Sequence, residues 1–155
     1  MSAAVDMMRR RQQGNRMFLT DGEVLRVPAG SRNAQRAPAW HEKVSNRLEE
    51  LLQLRDNWDS YGGKAPGTLA AAAVVTVLNS IMRSDTPAPS IVPSPRGHLQ
   101  VEWHIGGVDL EIEVLTPTQV IASFSHPNFP RQSWDDRAFA LDFTDLVAAI
   151  QSLEP

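Results

Sequence analysis

Five ionisable side chains lie within a stretch of twelve residues: Glu102, His104, Asp109, Glu111 and Glu113. A histidine beside a carboxylate can act as a general base, because the carboxylate orients the imidazole and stabilises its protonated form. Two acidic residues can also hold a divalent cation that activates a water molecule. The spacing is therefore compatible with hydrolytic chemistry, and it is equally compatible with a surface of ion pairs that has no catalytic role.

Two β-strands joined by Gly106 and Gly107 must position these side chains. Apolar and polar residues alternate on both sides of the Gly-Gly pair, which is typical of a hairpin whose tight turn needs positive φ angles. The alternation predicts one apolar face, formed by Leu99, Val101, Trp103, Ile105, Val108, Leu110, Ile112 and Val114. The opposite face would carry the five ionisable side chains together with Gln100.

The two-residue turn also fixes which residues face each other across the hairpin. His104 is expected opposite Asp109, and Glu102 opposite Glu111. Like charges in that position destabilise a sheet, so something must offset the pair of glutamates. The sequence leaves four answers open: solvent, a basic side chain from elsewhere in the chain, a metal ion, or a cationic partner surface.

Signatures of catalysis and of metal binding are weak elsewhere in the chain. There is no cysteine, and the four histidines include no pair at helical spacing. No serine has the context of a nucleophile elbow, and no glycine-rich phosphate loop is present. The leading hypothesis therefore assigns no catalytic residue, no metal ligand and no cofactor.

Residues 57–63, which read Asn-Trp-Asp-Ser-Tyr-Gly-Gly, form a second candidate site. Trp58, Asp59 and Tyr61 would suit a recognition loop, since aromatic side chains and a carboxylate on a rigid turn anchor a partner well. The alternative is structural. In that case the two aromatic rings fill the corner between two helices, Asp59 satisfies turn amides and Gly62 adopts a left-handed conformation.

Composition and charge narrow the class of protein. The chain has 155 residues, of which 42% are hydrophobic and 21% charged, as is ordinary for one globular domain. A net charge of −3 argues against a general nucleic-acid binder, although residues 1–43 are basic and the remainder is acidic. The lack of cysteine fits a reducing cytoplasm, and no apolar run reaches the ~20 residues of a membrane span. We therefore expect a cytoplasmic protein that does not enter a membrane.

Periodicity predicts an α+β fold. Apolar residues recur near the helical period over about 38–54, 66–82 and 143–153. Strands near residues 91, 102, 111 and 122 should form an antiparallel sheet of about four strands, with helices packed on one face, plus an N-terminal hairpin at Asp21-Gly22. Residues 126–137 are expected to be irregular, with Trp134 to Arg137 in a surface loop that is a candidate partner epitope. Residues 1–15 are predicted to be a flexible leader, and 16–155 a single α+β domain.

The motifs at residues 57–63 and 99–113 resemble those of a family of small uncharacterised bacterial proteins. Its members carry an Asn-Trp-Asp-x-Tyr-Gly-Ala loop between two helices, then a Val-x-Pro-Thr element and a Leu-Glu-Trp…Leu-Glu-Ile-Glu hairpin. The similarity covers roughly residues 46–115, with Gly63 in place of the more usual alanine and residues 92–97 in place of the middle element. The resemblance implies a fold, little chemistry, and an association with mobile or defence-related gene sets.

These features favour a non-enzymatic protein-interaction or regulatory protein of the antitoxin-like, immunity-like or defence-inhibitor type. A basic protein partner would bind an acidic sheet face and the aromatic loop. The residues predicted to bind it are Glu102, His104, Asp109, Glu111, Glu113, Trp58, Asp59 and Tyr61. One alternative is a metal-dependent hydrolase or nuclease that uses the hairpin's Glu/His/Asp cluster. Another is a structural homo-oligomer, in which the basic N-terminal segment of one copy lies on the acidic face of the next.

Overall fold

The computed structural model describes Leu19–Thr20, Glu23–Val24 and residues 36–153. The chain divides into two units, Met1–Arg36 and Ala37–Pro155. In the first unit, β1 (Leu19–Thr20) pairs antiparallel with β2 (Glu23–Val24), which is the predicted N-terminal hairpin. The predicted leader at 1–15 lies outside the described residues, and the predicted domain boundary at residue 16 stays a prediction.

The second unit contains a five-stranded antiparallel sheet in the order β3-β4-β5-β6-β7. Each strand lies next to the one before it in the sequence, so hairpin connections join them and no crossover is needed. The α+β class and the antiparallel sheet are confirmed, with one strand more than predicted. The strands are β3 (Ser90–Pro93), β4 (Leu99–Ile105), β5 (Val108–Thr116), β6 (Gln119–Ser125) and β7 (Trp134–Ala140).

β7 corrects one part of the prediction that residues 126–137 are irregular, because it begins at Trp134, whereas residues 126–133 form no strand. Its first residue, Trp134, lies opposite Phe124 of β6, so the segment expected in a surface loop belongs to the sheet. Within β7 the register shifts and Asp136 adopts a φ of +46°, which is the geometry of a β-bulge. The bulge breaks the alternation of apolar and polar residues, and this alternation is the signal that indicates a half-buried strand.

The β4–β5 hairpin confirms the predicted register. Ile105 lies opposite Val108, and the turn residues Gly106 and Gly107 have φ angles of +61° and +80°. Two consecutive positive φ angles are typical of a type I′ turn, whose twist matches that of the flanking strands. The predicted apolar residues are buried, except Ile105, which is 37% exposed beside the turn.

Three helices of the second unit provide the other layer of the core: α1 (His41–Leu51), α2 (Thr68–Ile81) and α3 (Thr144–Gln151). Each lies inside its predicted range and is a few residues shorter. α2 contacts β4 and β5, and α1 contacts β3. Val74, Val77 and Leu78 of α2 are completely buried, and burial of each such side chain contributes roughly 1.5–3 kcal/mol of hydrophobic stabilisation.

The opposite side of the sheet, called the outer face below, is more open. On β4 and β5, buried residues alternate with residues that are exposed or half-buried. The polar side chains of the hairpin occupy these alternate positions and are therefore available on the molecular surface. Within the described part of the chain, no helix has both the length and the hydrophobicity needed to cross a membrane.

We expect the turn to accept asparagine at position 106 and to reject a β-branched residue. A Cβ at Gly106 would meet no atom within 4 Å, so substitution there tests the backbone conformation alone. Gly106→Asn should change the free energy of unfolding by less than about 0.5 kcal/mol, because Asn adopts positive φ readily. Gly106→Val should lower it by roughly 1–2 kcal/mol. Urea denaturation measures both values, and equal stability of the two variants would contradict the turn geometry.

Candidate functional site

Glu102 and Glu111 lie directly opposite each other, as the predicted register requires. The side-chain nitrogen of Gln100 donates to Glu102 Oε1 at 2.9 Å and to Glu111 Oε2 at 3.2 Å. A primary amide has two N–H groups, so one nitrogen can serve both carboxylates. Among the described residues, no arginine or lysine forms an ion pair with either glutamate. The Gln100 amide therefore offsets much of the repulsion between Glu102 and Glu111, for which the sequence left four explanations open.

His104 is held by a carboxylate on each side of its ring. Its Nδ1 lies 2.8 Å from Asp109 Oδ1, and its Nε2 lies 3.5 Å from Glu102 Oε2. The hydrogen bond to Asp109 is the main cause that raises the pKa of His104 above its ordinary value of 6.5, and Glu102 adds to the rise. A general base needs a ring nitrogen that is free to take a proton from the substrate. Both carboxylates favour the protonated ring, in which neither nitrogen is free to take a proton.

Glu113 belongs to a separate group of contacts at the turn between β3 and β4. Its carboxylate accepts a hydrogen bond from Ser94 at 3.0 Å and lies 2.5 Å from an Arg96 nitrogen and 3.3 Å from His98 Nδ1. Burial alone would raise the pKa of Glu113. The contacts with Ser94, His98 and Arg96 outweigh burial and hold the pKa below its ordinary value. Of the predicted binding residues, Glu113 is thus engaged within the chain, and its side chain is only 13% exposed.

Asp109 and Glu111 also line a shallow cavity of about 320 Å³, together with Asp135 of β7. Ser123 and Ser125 of β6 supply hydroxyl groups to the same cavity. Three carboxylates from two strands thus border one space, and no basic residue is part of its lining. Asp135 belongs to the loop that the sequence offered as a candidate partner epitope, but its place beside Asp109 and Glu111 was not predicted, because it depends on the bulged strand β7.

The loop between α1 and α2 is held by its own hydrogen bonds. Asn57 has a φ of +67°. Its backbone N–H donates to the Gly63 carbonyl at 2.6 Å, and its side-chain Oδ1 accepts from the Gly62 backbone N–H at 2.8 Å. Asp59 Oδ1 accepts from the amides of Tyr61 and Gly63 at 2.9 and 2.8 Å. These two hydrogen bonds lower the pKa of Asp59 below its ordinary value. Asp59 therefore satisfies turn amides, as the structural alternative expects.

The two aromatic residues of this loop lie in different environments. Trp58 is half-buried and donates its indole N–H to the Lys64 carbonyl at 3.2 Å. Tyr61 is 93% exposed, so its ring does not fill a corner between helices. No described hydrogen bond or ion pair joins Trp58, Asp59 or Tyr61 to the carboxylates of the outer face. The structure thus shows a rigid loop that presents one tyrosine ring to solvent, apart from the hairpin cluster.

The described residues offer no ready position for a catalytic cation. Within residues 36–153, no group of three or more His, Cys, Asp or Glu side chains is arranged to hold a metal ion. Structural and catalytic zinc sites use at least three protein ligands. The groups on the outer face can recognise charge and can donate or accept hydrogen bonds.

Comparisons with known protein families, with curated proteins and with solved structures found no match. The fold alone therefore defines the class. It is an α+β protein whose described second unit packs three helices against one face of a five-stranded antiparallel sheet. Membership of the bacterial family that the loop and hairpin motifs resemble stays a prediction.

We expect removal of the bridging amide to destabilise the protein. Gln100→Met keeps the side chain's length but leaves Glu102 and Glu111 without their shared donor, so the free energy of unfolding should fall by about 1 kcal/mol. The loss should shrink at high salt, because salt screens the repulsion. Gln119→Met makes the same change at an exposed position of β6 and is the matched control, so it should have little effect on stability. A loss that is the same at 50 and at about 500 mM salt would argue against repulsion as its cause.

The raised pKa of His104 predicts how stability depends on pH. Its stabilising contribution should be fully present below the unfolded-state pKa, near 6.5, and be lost as the pH rises through the higher folded-state pKa. A proton NMR titration of the imidazole measures the folded-state value. Asp109→Asn should move it back towards 6.5, whereas Asp135→Asn, which changes a carboxylate that makes no hydrogen bond with the ring, should change it less. An unchanged pKa in Asp109→Asn would show that this contact does not cause the shift.

Proposed function

We propose that this is a small non-enzymatic interaction protein of the cytoplasm, which binds a basic segment of a protein partner through the outer face of its sheet. The observation that supports this best is the cavity lined by Asp109, Glu111 and Asp135. The role we infer is regulatory, of the antitoxin-like, immunity-like or defence-inhibitor type. Such roles depend on binding alone, which agrees with the absence of catalytic motifs in the sequence.

The three carboxylates of the cavity differ in how far the chain itself engages them. Asp109 is bound to His104, and Glu111 accepts one hydrogen bond from Gln100. Asp135 is exposed, and its carboxylate takes part in no described hydrogen bond or ion pair. An incoming cation would therefore gain most from Glu111 and Asp135, whose oxygens still have capacity to accept hydrogen bonds.

The remaining lining suits a lysine or arginine side chain. Ser123 and Ser125 would place hydroxyl oxygens near the charged head of such a residue. The exposed ring of Tyr61 offers a second contact of a type common at protein interfaces, at another point of the surface. Charge complementarity would accelerate association with a basic partner and disfavour acidic competitors.

Charge reversal tests this proposal. Glu111→Lys/Asp135→Lys places two positive charges at the cavity, and Glu42→Lys/Glu49→Lys makes the same change in net charge at exposed positions of α1. Proteins captured by wild type and by both variants from lysates of the source cells would be identified by mass spectrometry. We expect a basic protein that wild type and the α1 variant retain and that the cavity variant loses. Its retention should also weaken as salt increases.

Two outcomes would contradict the proposal. One is a specific partner that binds the cavity variant as tightly as it binds wild type. The other is equal loss of the partner in both double variants, because the effect would then follow net charge and not the cavity. Unfolding curves of the two variants, measured side by side, establish that each is folded before its binding is interpreted.

A further inference from the structure

A second cavity, of about 350 Å³, lies where the end of β6, the connection to β7, β7 itself and α3 meet. This volume is within the range of pockets that hold small molecules. Its lining differs from that of the cavity on the outer face, since it combines aromatic rings with donors and acceptors of both charge signs. Phe124 borders both cavities, but none of these groups takes part in the partner binding proposed above.

One side of this second cavity is a continuous row of aromatic rings. The ring centroids of Phe129 and His126 are 4.8 Å apart, those of His126 and Phe124 are 6.4 Å apart, and those of Phe124 and Trp134 are 5.3 Å apart. Phe129 is 52% exposed and borders the opening. Successive rings are tilted against one another by 33–51°, so a planar ligand can stack on one of their exposed faces, and every nucleobase can stack in this way.

Polar groups complete the lining. The Arg137 guanidinium donates to Asp145 Oδ2 at 2.7 Å, so the two charges largely cancel and the part of a ligand next to this pair should be uncharged. Arg137 Cζ also lies 4.6 Å from the ring centroid of Phe139, which keeps the guanidinium plane in place. The side-chain amide of Gln132 forms no hydrogen bond with another described residue, and it offers a donor and an acceptor side by side.

His126 contributes a further donor. Its Nδ1 accepts a hydrogen bond from the Asn128 amide at 3.1 Å, so in the neutral ring the proton is carried by Nε2. Together with Gln132 and the Arg137–Asp145 pair, the cavity therefore presents several donors and acceptors next to stacking surfaces. A phenyl or aliphatic ligand would leave these groups unpaired, which lowers its affinity.

The space itself exists because α3 presents small residues on this side. Ala148, Ala149 and Ser152 line the cavity, whereas Leu146 and Ile150 of the same helix are buried in the core. A larger side chain at the exposed position 148 would fill the cavity without entering the core. The cavity thus depends on a few small residues, of which Ala148 is exposed and can be changed without removing a core contact.

From these observations we infer that the cavity binds a purine ring, in the form of a free base, a nucleoside or a nucleotide. The ring stacks on the aromatic row, and its polar edge pairs with Gln132 and the other donors and acceptors. A purine has four ring nitrogens and therefore satisfies more of these groups than an indole or a phenol side chain, each of which has a single polar atom. The site is independent of the proposed partner surface, because its binding groups are the aromatic row and α3.

Isothermal titration calorimetry of the full-length chain tests the inference. The probes are adenine, adenosine, guanosine, AMP and GMP, with N-acetyl-tryptophanamide and ribose 5-phosphate as comparators. We expect at least one purine compound to bind with a dissociation constant below about 1 mM. The bases, nucleosides and nucleotides then show which form of the ring the cavity takes. Phe129→Ala should weaken binding by about tenfold, because a stacking surface is lost.

The cavity-filling variant and its control decide where the purine binds. Ala148→Leu should abolish binding, and Ala72→Leu, at an exposed position of α2, should bind as wild type does. Gln132→Ala should reduce the difference in affinity between adenine and guanine compounds, and it provides a second readout if Ala148→Leu does not fold. The inference is overturned if no purine binds at 1 mM, if Ala148→Leu binds normally, or if either comparator binds as tightly as the best purine.

Discussion

The pairing of β4 with β5 about Gly106 and Gly107 decides which side chains the rest of the molecule can use. Because side chains alternate between the two faces of a strand, a slip of one residue would turn Trp103 and Ile112 to solvent and send the carboxylates beneath α2. Burying ionised carboxylates without partners is far less favourable than leaving them in water. The observed register keeps the carboxylates in water. The positions of the helices, the remaining strands and both cavities depend on it.

Much of this architecture was predictable, and the exceptions have physical causes. The hairpin register follows from strict alternation and a turn that needs positive φ, and the helices follow from apolar periodicity. β7 was not predictable because the bulge at Asp136 interrupts its alternation, so the positions of Trp134 and Asp135 in the sheet were missed as well. The role of Gln100 could not be predicted either, because it depends on a side-chain conformation that brings one nitrogen to two carboxylates.

The polar residues of the outer face fall into groups that serve different purposes. Glu113 ties the β3–β4 turn to the sheet through Arg96, and Glu102 is held by Gln100 and His104. These contacts order the surface but use up its capacity to bind anything else. The least engaged carboxylate, Asp135, lies on the strand that was hardest to foresee. This division explains why a list of acidic residues read from the sequence overstates the surface available to a partner.

The bulge in β7 has a further consequence. β7 is the last strand in the order of the five-stranded sheet, and the edge of a sheet presents backbone groups on which another extended chain can add. At Asp136 the hydrogen-bonding ladder is irregular, and charged side chains flank the irregularity. An approaching strand would find neither a straight template nor an apolar one. The irregularity that conceals β7 in the sequence thus also makes this edge a poor template for the growth of fibrils.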